Sequence, residues 1–358
     1  FFDSRTALFT HLVTVLICSV IAPFPHEFLV MQVIAGMVVT YSLKELSQRS
    51  QLMHCALFVF LSYALSYLGL VLYQDADINK IHWTMFLYFG INFVLLMFTY
   101  VLVYILEKTF GYLSPITLVE LSNINTGLLK KLSENCPGTF QHSLQVSILA
   151  SAAASEIGAN AQLARTGAMY HDIGKMSNPI YFTENQSGVN PHSSLSYEDS
   201  AKYIISHVTE GVKIAEKASL PKEIIDFIRT HHGQGKAKYF YNSYRNKYPG
   251  KPIDESIFTY PGPNPFTKET AIVMMADAVE AASRSLKEHT EEGISALVNK
   301  IIDGQIADGL LKNAPLTFKD VETIKKVFIE KLKIIYHTRI SYPDLKKANA
   351  DNKSPKQS

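Results

Sequence analysis

The sequence predicts an all-α protein in which a transmembrane helix bundle is followed by a soluble helical domain. Three observations predict it. The chain holds 34 Lys and Arg and 32 Asp and Glu residues, yet only nine of these lie before Glu107. Two runs in that first part, Leu52 to Tyr73 and Trp83 to Leu106, both reach the roughly 20 apolar residues that cross a bilayer. Beyond Glu107 the chain reads as helical runs closed by Gly and Pro, and its histidines and aspartates gather at their ends.

The membrane part comes first, over 1–110. Ala7 to Phe24 is nearly as long as the two clear spans, and Glu27 to Leu43 is shorter. Pro23 and Pro25 separate that pair and predict a tight hairpin. Four spans are therefore expected, with a buried helix pair as the alternative for the first two. Arg5, Lys44, Arg49 and Lys108 fall on one side, while Lys80 on the other is outweighed by Asp75 and Asp77. Positive residues favour the cytoplasm, so the soluble part of this multi-pass protein should face it. The lipid bilayer is thus one partner. His11, His54 and His82 have no companion at ligand spacing and are expected to be structural or interfacial. The chain opens at Phe1 without a methionine or a signal-peptide pattern, which suggests a piece of something longer.

A connector is expected over 111–136. Ser114 can cap a helix from Pro115 to about Leu132, and Leu118, Leu121, Leu128, Leu129 and Leu132 give it a partial apolar stripe. It could pack on its own domain, or act as a rod that transmits membrane events through a homodimer. Thr139 is expected to cap the next helix, Phe140 to Ile157.

The domain at 137–345 carries the chemistry, ahead of a polar tail at 346–358 that is expected to be disordered. His142 lies near the start of one helix. His171 and Asp172 end another, with Gly174 as terminator. His207 follows a helical stretch that begins near Ser200, and His231 and His232 close the segment Pro221 to Thr230 before Gly233. Asp277 sits inside "KETAIVMMADAVEAASRSL", which reads as a buried helix. Each has a dull explanation alone, since a single histidine at a helix end is more often a cap than a ligand. Together, five histidines and two aspartates are what two adjacent metals require. Neighbours on a helix cannot point the same way, but at a helix end the backbone turns enough for His171 and Asp172 to share a centre. Asp172, with two oxygens, can bridge two ions. The net charge of +2 is too small to predict a nucleic acid polymer as partner. The three cysteines, Cys18, Cys55 and Cys136, form neither a disulfide framework nor a zinc pattern.

The order H…HD…H…HH…D with "HDIGK" resembles the HD superfamily of metal-dependent phosphohydrolases. The doubled His231-His232 and the extra His207 are similar to its two-metal phosphodiesterase branch. "PGTFQHS", "HDIGKM", "NPHSSLS", "HHGQGKAKYFY" and "MMADAVEAASR", joined to apolar spans, resemble the bacterial seven-transmembrane HD receptors, whose characterised members hydrolyse cyclic di-AMP. The resemblance implies one metal on His142, His171, Asp172 and Asp277, and another on Asp172, His207, His231 and His232. It implies iron or manganese as those two divalent ions, and a cyclic dinucleotide as substrate. That family also carries a sensing domain and seven spans, which this chain does not show.

The expected reaction is hydrolysis of cyclic di-AMP to linear pApA by a hydroxide that two metals activate. Asp172 and Lys175 are the candidate catalytic residues, and the Lys175 ammonium can meet a phosphate oxygen. Arg284, two turns after Asp277, can either reach the second phosphate or form a structural salt bridge. The Tyr-, Pro- and Lys-rich segment from Gly233 to Lys268, with Tyr239 and Tyr241, reads as a base-stacking lid or as an ordinary loop. Asn190 and His192 are candidates to support the site from behind. The alternatives are a cyclic di-GMP phosphodiesterase, a receptor that binds the dinucleotide uncut, and a one-metal nucleotidase. The Gly-Tyr-Pro triplet that marks the cyclic di-GMP branch is absent after the histidine pair; Tyr248-Pro249-Gly250 and Tyr260-Pro261-Gly262 run in a different order.

Overall fold

The computed structural model describes residues 4–43, 50–75, 77–111, 113–125, 127–186, 188 and 190–336. The loop around Lys44 and Arg49 and the tail at 346–358 lie outside them. Among the described residues the secondary structure is helical, apart from one isolated bridge between Lys236 and Thr259.

Four helices form the first part: α1 (Ser4–Ser19), α2 (Pro25–Ser42), α3 (Ser50–Asp75) and α4 (Thr84–Phe110). Each packs on the next. Pro25 stands in the first turn of α2, where its missing N–H is not needed. Among the described residues, only Gln51–Gln74 of α3 and Thr84–Glu107 of α4 are long and apolar enough to cross a membrane; Arg5–Ser19 is a shorter apolar stretch. Just 6% of the α4 window is buried, so it is not the core helix of a soluble domain. Instead Leu87, Leu95, Phe98 and Leu102 point outward, as a lipid-facing surface requires. Inside the bundle, Tyr63 donates to Gln32 Oε1 at 2.8 Å, and the His11 ring bonds the Gln32 carbonyl at 2.9 Å. His11 is therefore structural, as expected.

The connector departs from expectation. One helix from Pro115 to Leu132 is predicted, but two short ones form, α5 (Pro115–Leu121) and α6 (Gly127–Asn135). Asn123 breaks the run by accepting the N–H of Asn125 on its own side chain at 3.0 Å. Ser114 caps α5 as predicted. Leu118, Leu129 and Leu132 are buried with Met169, Tyr170 and Ile173, so both pieces pack on their own domain.

The soluble core is built by α7 (Pro137–Glu156), α8 (Ala161–Tyr170), α12 (Lys268–Ser283), α13 (Glu291–Ala307) and α14 (Phe318–Ile335). Small residues Ala150, Ala153, Ala164 and Ala168 let α7 and α8 approach closely, and Leu149, Met274, Ile302 and Phe328 fill the space between helices. Thr139 does not cap α7. Helix α7 starts two residues earlier, at Pro137, and Thr139 lies buried in its first turn. Its N–H, which the helix cannot satisfy, is accepted by Asn185 Oδ1 at 3.2 Å.

Helix α10 (Lys222–Thr230) covers the other side of α8, and α9 (Tyr197–Lys217) packs on α10 and on the turn Ile173–Ser177. Helix α9 runs through His207 rather than ending before it. The segment from Gly233 to Lys268 is not a bare loop; it contains α11 (Lys238–Lys247), whose Phe240 packs with Phe258, Tyr260, Ala201 and Val208.

Gly174 and Gly211 set the distance between the His171–Asp172 turn and α9. A Cβ on Gly174 would overlap the His207 carbonyl oxygen and crowd the Gly211 backbone. Gly174→Ala should therefore lower stability by about 1–3 kcal/mol, as overpacking does. Gly304→Ala, in open space on α13, should raise it by up to about 1 kcal/mol. Thermal melts of the purified protein check the pair.

Candidate metal centre

Each candidate ligand comes from a helix or its end. His142 sits in the second turn of α7. His171 is the last residue of the α8 turn, and Asp172 follows as the chain tightens into a 3₁₀ turn over Ile173–Ser177. His207 lies mid-way along α9, His231 closes α10 and Asp277 projects from α12. Gly233, at φ +52°, turns the chain away after His232.

The structure brings all seven together. Ligand-type atoms of His142, His171, Asp172 and Asp277 lie within 4.8 Å of one another, and so do those of His207, His231 and His232. Asp172 joins the two groups. Its Oδ2 is 3.2 Å from His171 Nε2 and 3.6 Å from His142 Nε2. Its Oδ1 is 3.3 Å from His207 Nε2 and 3.6 Å from His231 Nε2. Asp277 Oδ1 is 2.9 Å from His142 Nε2, while its Oδ2 is 3.7 Å from His232 Nδ1. Six of the seven are buried, and His232 is half-buried at the edge.

Three of the imidazoles have their tautomer fixed by their own helix. Nδ1 of His171 donates to Ala168 O at 2.6 Å, that of His207 to Ile204 O at 2.5 Å, and that of His231 to Ile228 O at 2.9 Å. A carbonyl can only accept, so each Nδ1 carries the hydrogen and each neutral ring turns a bare Nε2 lone pair inward. His207 Nε2 and His231 Nε2 then face each other at 3.0 Å with no hydrogen between them. His171 Nε2 and Asp172 Oδ1 are buried without a hydrogen bond. Lone pairs converging in a buried space are the donor set of a cation site.

The electrostatics agree. Burial pushes the Asp172 and Asp277 carboxyls up, but Lys175 and His171 beside Asp172, and His142 and His171 beside Asp277, hold both well below the usual carboxylate range. Burial lowers His231 strongly and carries His232 down to about 3, so these rings are neutral. Burial also opposes charge on His171, yet Asp172 and Asp277 outweigh it and raise that group to about 10. The two carboxylates thus favour positive charge where His171 meets them.

Two further groups support the site. Glu280 Oε2 is 2.5 Å from His142 Nδ1, and Glu280 Oε1 accepts from Arg284 Nε at 2.8 Å and Nη2 at 2.6 Å. Arg284 therefore forms the salt bridge that was one of its two readings. Lys175 Nζ lies 2.8 Å from Asp172 Oδ2 and 2.7 Å from Glu184 Oε1. Sequence reasoning missed both Glu280 and Glu184. Glu280 had a signal, since Asp277, Glu280 and Arg284 recur at helical spacing; Glu184 had none.

A cavity of about 840 Å³ opens beside His232. Tyr181, His192, Tyr239, Phe240, Tyr248 and Tyr260 line it, with Lys236, Lys238 and Lys247 among its cations. Tyr239 reaches it, but Tyr241 turns away to bond Glu255 at 2.7 Å. Tyr260, also missed, packs its ring 4.2 Å from that of His232. Of the two supporting candidates, His192 lines the cavity and bonds the Tyr181 carbonyl at 2.9 Å, and Asn190 caps the short turn that holds it.

Sequence comparison matches residues 1–114 to the family described as 7TM receptor with intracellular HD hydrolase, and residues 139–282 to the HD domain. The chain is 39% identical over 332 residues to the cyclic-di-AMP phosphodiesterase PgpH of Bacillus subtilis, covering 92% of this chain and 46% of that protein. It is 43% identical over 239 residues to PgpH of Listeria monocytogenes, covering 66% of this chain and 33% of that protein. The chain thus spans less than half the length of these relatives. The crystal structure of the L. monocytogenes PgpH HD domain in complex with cyclic di-AMP superposes with a TM-score of 0.57 at 42% identity, over 60% of this chain and 99% of that one.

Glu280→Ala should free the His142 ring and weaken metal binding about 10–100-fold, as loss of a ligand's hydrogen-bond partner does. Arg284→Ala should weaken it less. Titration of the metal-stripped protein with Mn²⁺, followed by calorimetry, checks the order.

Proposed function

We propose that this chain, which belongs to the family of 7TM receptors with an intracellular HD hydrolase domain, hydrolyses cyclic di-AMP to linear pApA at its histidine–aspartate cluster. The observation that carries the reading is Asp172, whose two carboxylate oxygens face two separate sets of imidazole lone pairs. A one-metal nucleotidase would have no use for the second set.

In this reading His142, His171, Asp172 and Asp277 hold one divalent ion, and Asp172, His207, His231 and His232 hold the other. Iron and manganese suit such an imidazole–carboxylate set. When bound, such ions polarise phosphoryl oxygens and supply a water that ionises near neutral pH. The chain's own residues then bind and orient. Lys175, charged and nearly enclosed, stands beside Asp172 where a non-bridging phosphate oxygen would arrive. The helix carbonyls behind His171, His207 and His231 keep those rings from turning as charge shifts during the reaction. Tyr239, exposed at the cavity, offers a face on which a base stacks, Tyr260 lines the cavity against His232, and Lys247 supplies a cation for the second phosphate, while Lys236 and Lys238 are paired with Glu255 and Asp308. The choice of adenine follows the relatives, both named as cyclic-di-AMP phosphodiesterases.

The chain is a multi-pass membrane protein in this reading. Helices α1 and α2 join α3 and α4 in the bilayer, and the HD domain faces the cytoplasm.

Metal analysis of the purified protein should give about two ions per chain. With cyclic di-AMP and cyclic di-GMP supplied side by side, the first should be turned over faster, with pApA as product by chromatography. Asp172→Ala should lose both metal and turnover; wild-type turnover by that variant would remove the cluster from the reaction. Lys175→Ala should keep its metals and lose about 10²-fold in kcat, the size of one charge-stabilising donor.

A further inference from the structure

Glu184 is a nearly enclosed carboxylate for which the reaction above has no role. It sits in the 3₁₀ turn Thr183–Asn185, on the wall shared by the cavity and the histidine–aspartate cluster. Its side chain is 16% exposed. The start of α7 holds it from behind. Thr139 Oγ1 donates to Glu184 Oε1 at 3.1 Å, and Asn185 Nδ2 donates to Thr139 Oγ1 at 2.8 Å. Gly138 lets the two segments touch, because a Cβ there would overlap the Glu184 carbonyl.

What Glu184 holds is Lys175. The ammonium is 2.7 Å from Glu184 Oε1 and 2.8 Å from Asp172 Oδ2, and it lies 4.9 Å from the centre of the Phe182 ring. An ammonium has three N–H donors. Two are taken by the carboxylates, and one is left over beside Glu184 and Phe182, which line the cavity. A lysine stem is flexible, and ordering it costs rotamer entropy. Asp172 alone would draw the charge onto the carboxylate that both ligand sets share. The second carboxylate, fixed from α7, balances that pull.

We propose that Glu184 is the positioning residue of the phosphate-binding cation: from the cavity wall it holds the Lys175 ammonium beside Asp172 with one N–H left for a non-bridging phosphate oxygen. The kinetic arm of the test rests on the cyclic dinucleotide reading; the labelling arm does not.

The test uses the full chain in detergent. Metal-loaded Glu184→Gln should keep wild-type metal content and melting temperature, with kcat for cyclic di-AMP reduced on the order of tenfold or more. The double variant Glu184→Gln with Lys175→Ala should match Lys175→Ala alone, because the two residues act as one unit. Additive losses, or loss of metal from a folded Glu184→Gln, overturn the proposal. If that variant fails to fold, Glu184→Asp is read against the same outcomes. In the second arm, metal-free protein is acetylated with acetic anhydride and the lysine peptides are followed by mass spectrometry. Lys175 should react several-fold faster in Glu184→Gln than in wild type, while Lys202, 67% exposed, reacts at an unchanged rate. An unchanged Lys175 rate refutes the anchor. If the wild type cleaves neither cyclic dinucleotide, the functional reading fails and the labelling still decides for or against Glu184.

Discussion

The interaction on which the rest depends is the hydrogen bond from a buried imidazole Nδ1 to the carbonyl oxygen three residues earlier. His171, His207 and His231 each make it, to Ala168, Ile204 and Ile228. A free imidazole can place its hydrogen on either nitrogen. These cannot, because the carbonyl has only lone pairs to offer. In His207 and His231, which burial keeps neutral, the inward nitrogens are therefore bare, and they meet at 3.0 Å. In water such lone pairs would be solvated. Here they are buried next to two carboxylates, so a positive species is the partner that removes the conflict.

The scaffold serves this arrangement at the level of single atoms. Gly174 and Gly211 let the turn after Asp172 press against α9, which sets the reach from Asp172 Oδ1 to His207. Buried Leu149, Met274 and Phe328 fix α7, α12 and α14 as a block, so His142 and Asp277 meet at 2.9 Å. The connector is part of the same body. Tyr170, the residue before His171, donates its hydroxyl to the Leu121 carbonyl at 2.9 Å, and Thr166 bonds Leu118 O and Ser122. Glu107, near the end of α4, accepts from the Ser114 N–H and the Thr117 hydroxyl. A continuous series of bonded groups thus leads from the last apolar helix to the residue beside the cluster.

The candidate ligand residues were legible because their local signals are strong. His231 and His232 stand before a glycine that must turn the chain, and Asp277 is an acid in a run apolar enough to be buried. What the sequence concealed was which face a residue takes. Tyr239 and Tyr241 look alike on paper, but α11 sends one to the cavity and the other to Glu255. Arg284 lies on the Asp277 face, yet Glu280 intercepts it. The connector read as one helix because leucine spacing outvoted Asn123, whose side chain competes with the backbone only once the turn is made. Glu184 was hidden for a different reason. Its role depends on Thr139, 45 residues earlier in the chain, and pairing over that distance leaves no local trace.

Anomalous X-ray diffraction at the manganese edge, on crystals of the manganese-loaded protein, tests the account most directly. The account predicts two peaks about 3.5–4 Å apart, one on either side of the Asp172 carboxylate. A single peak, or peaks that leave His207 and His231 facing each other without a metal, would contradict it.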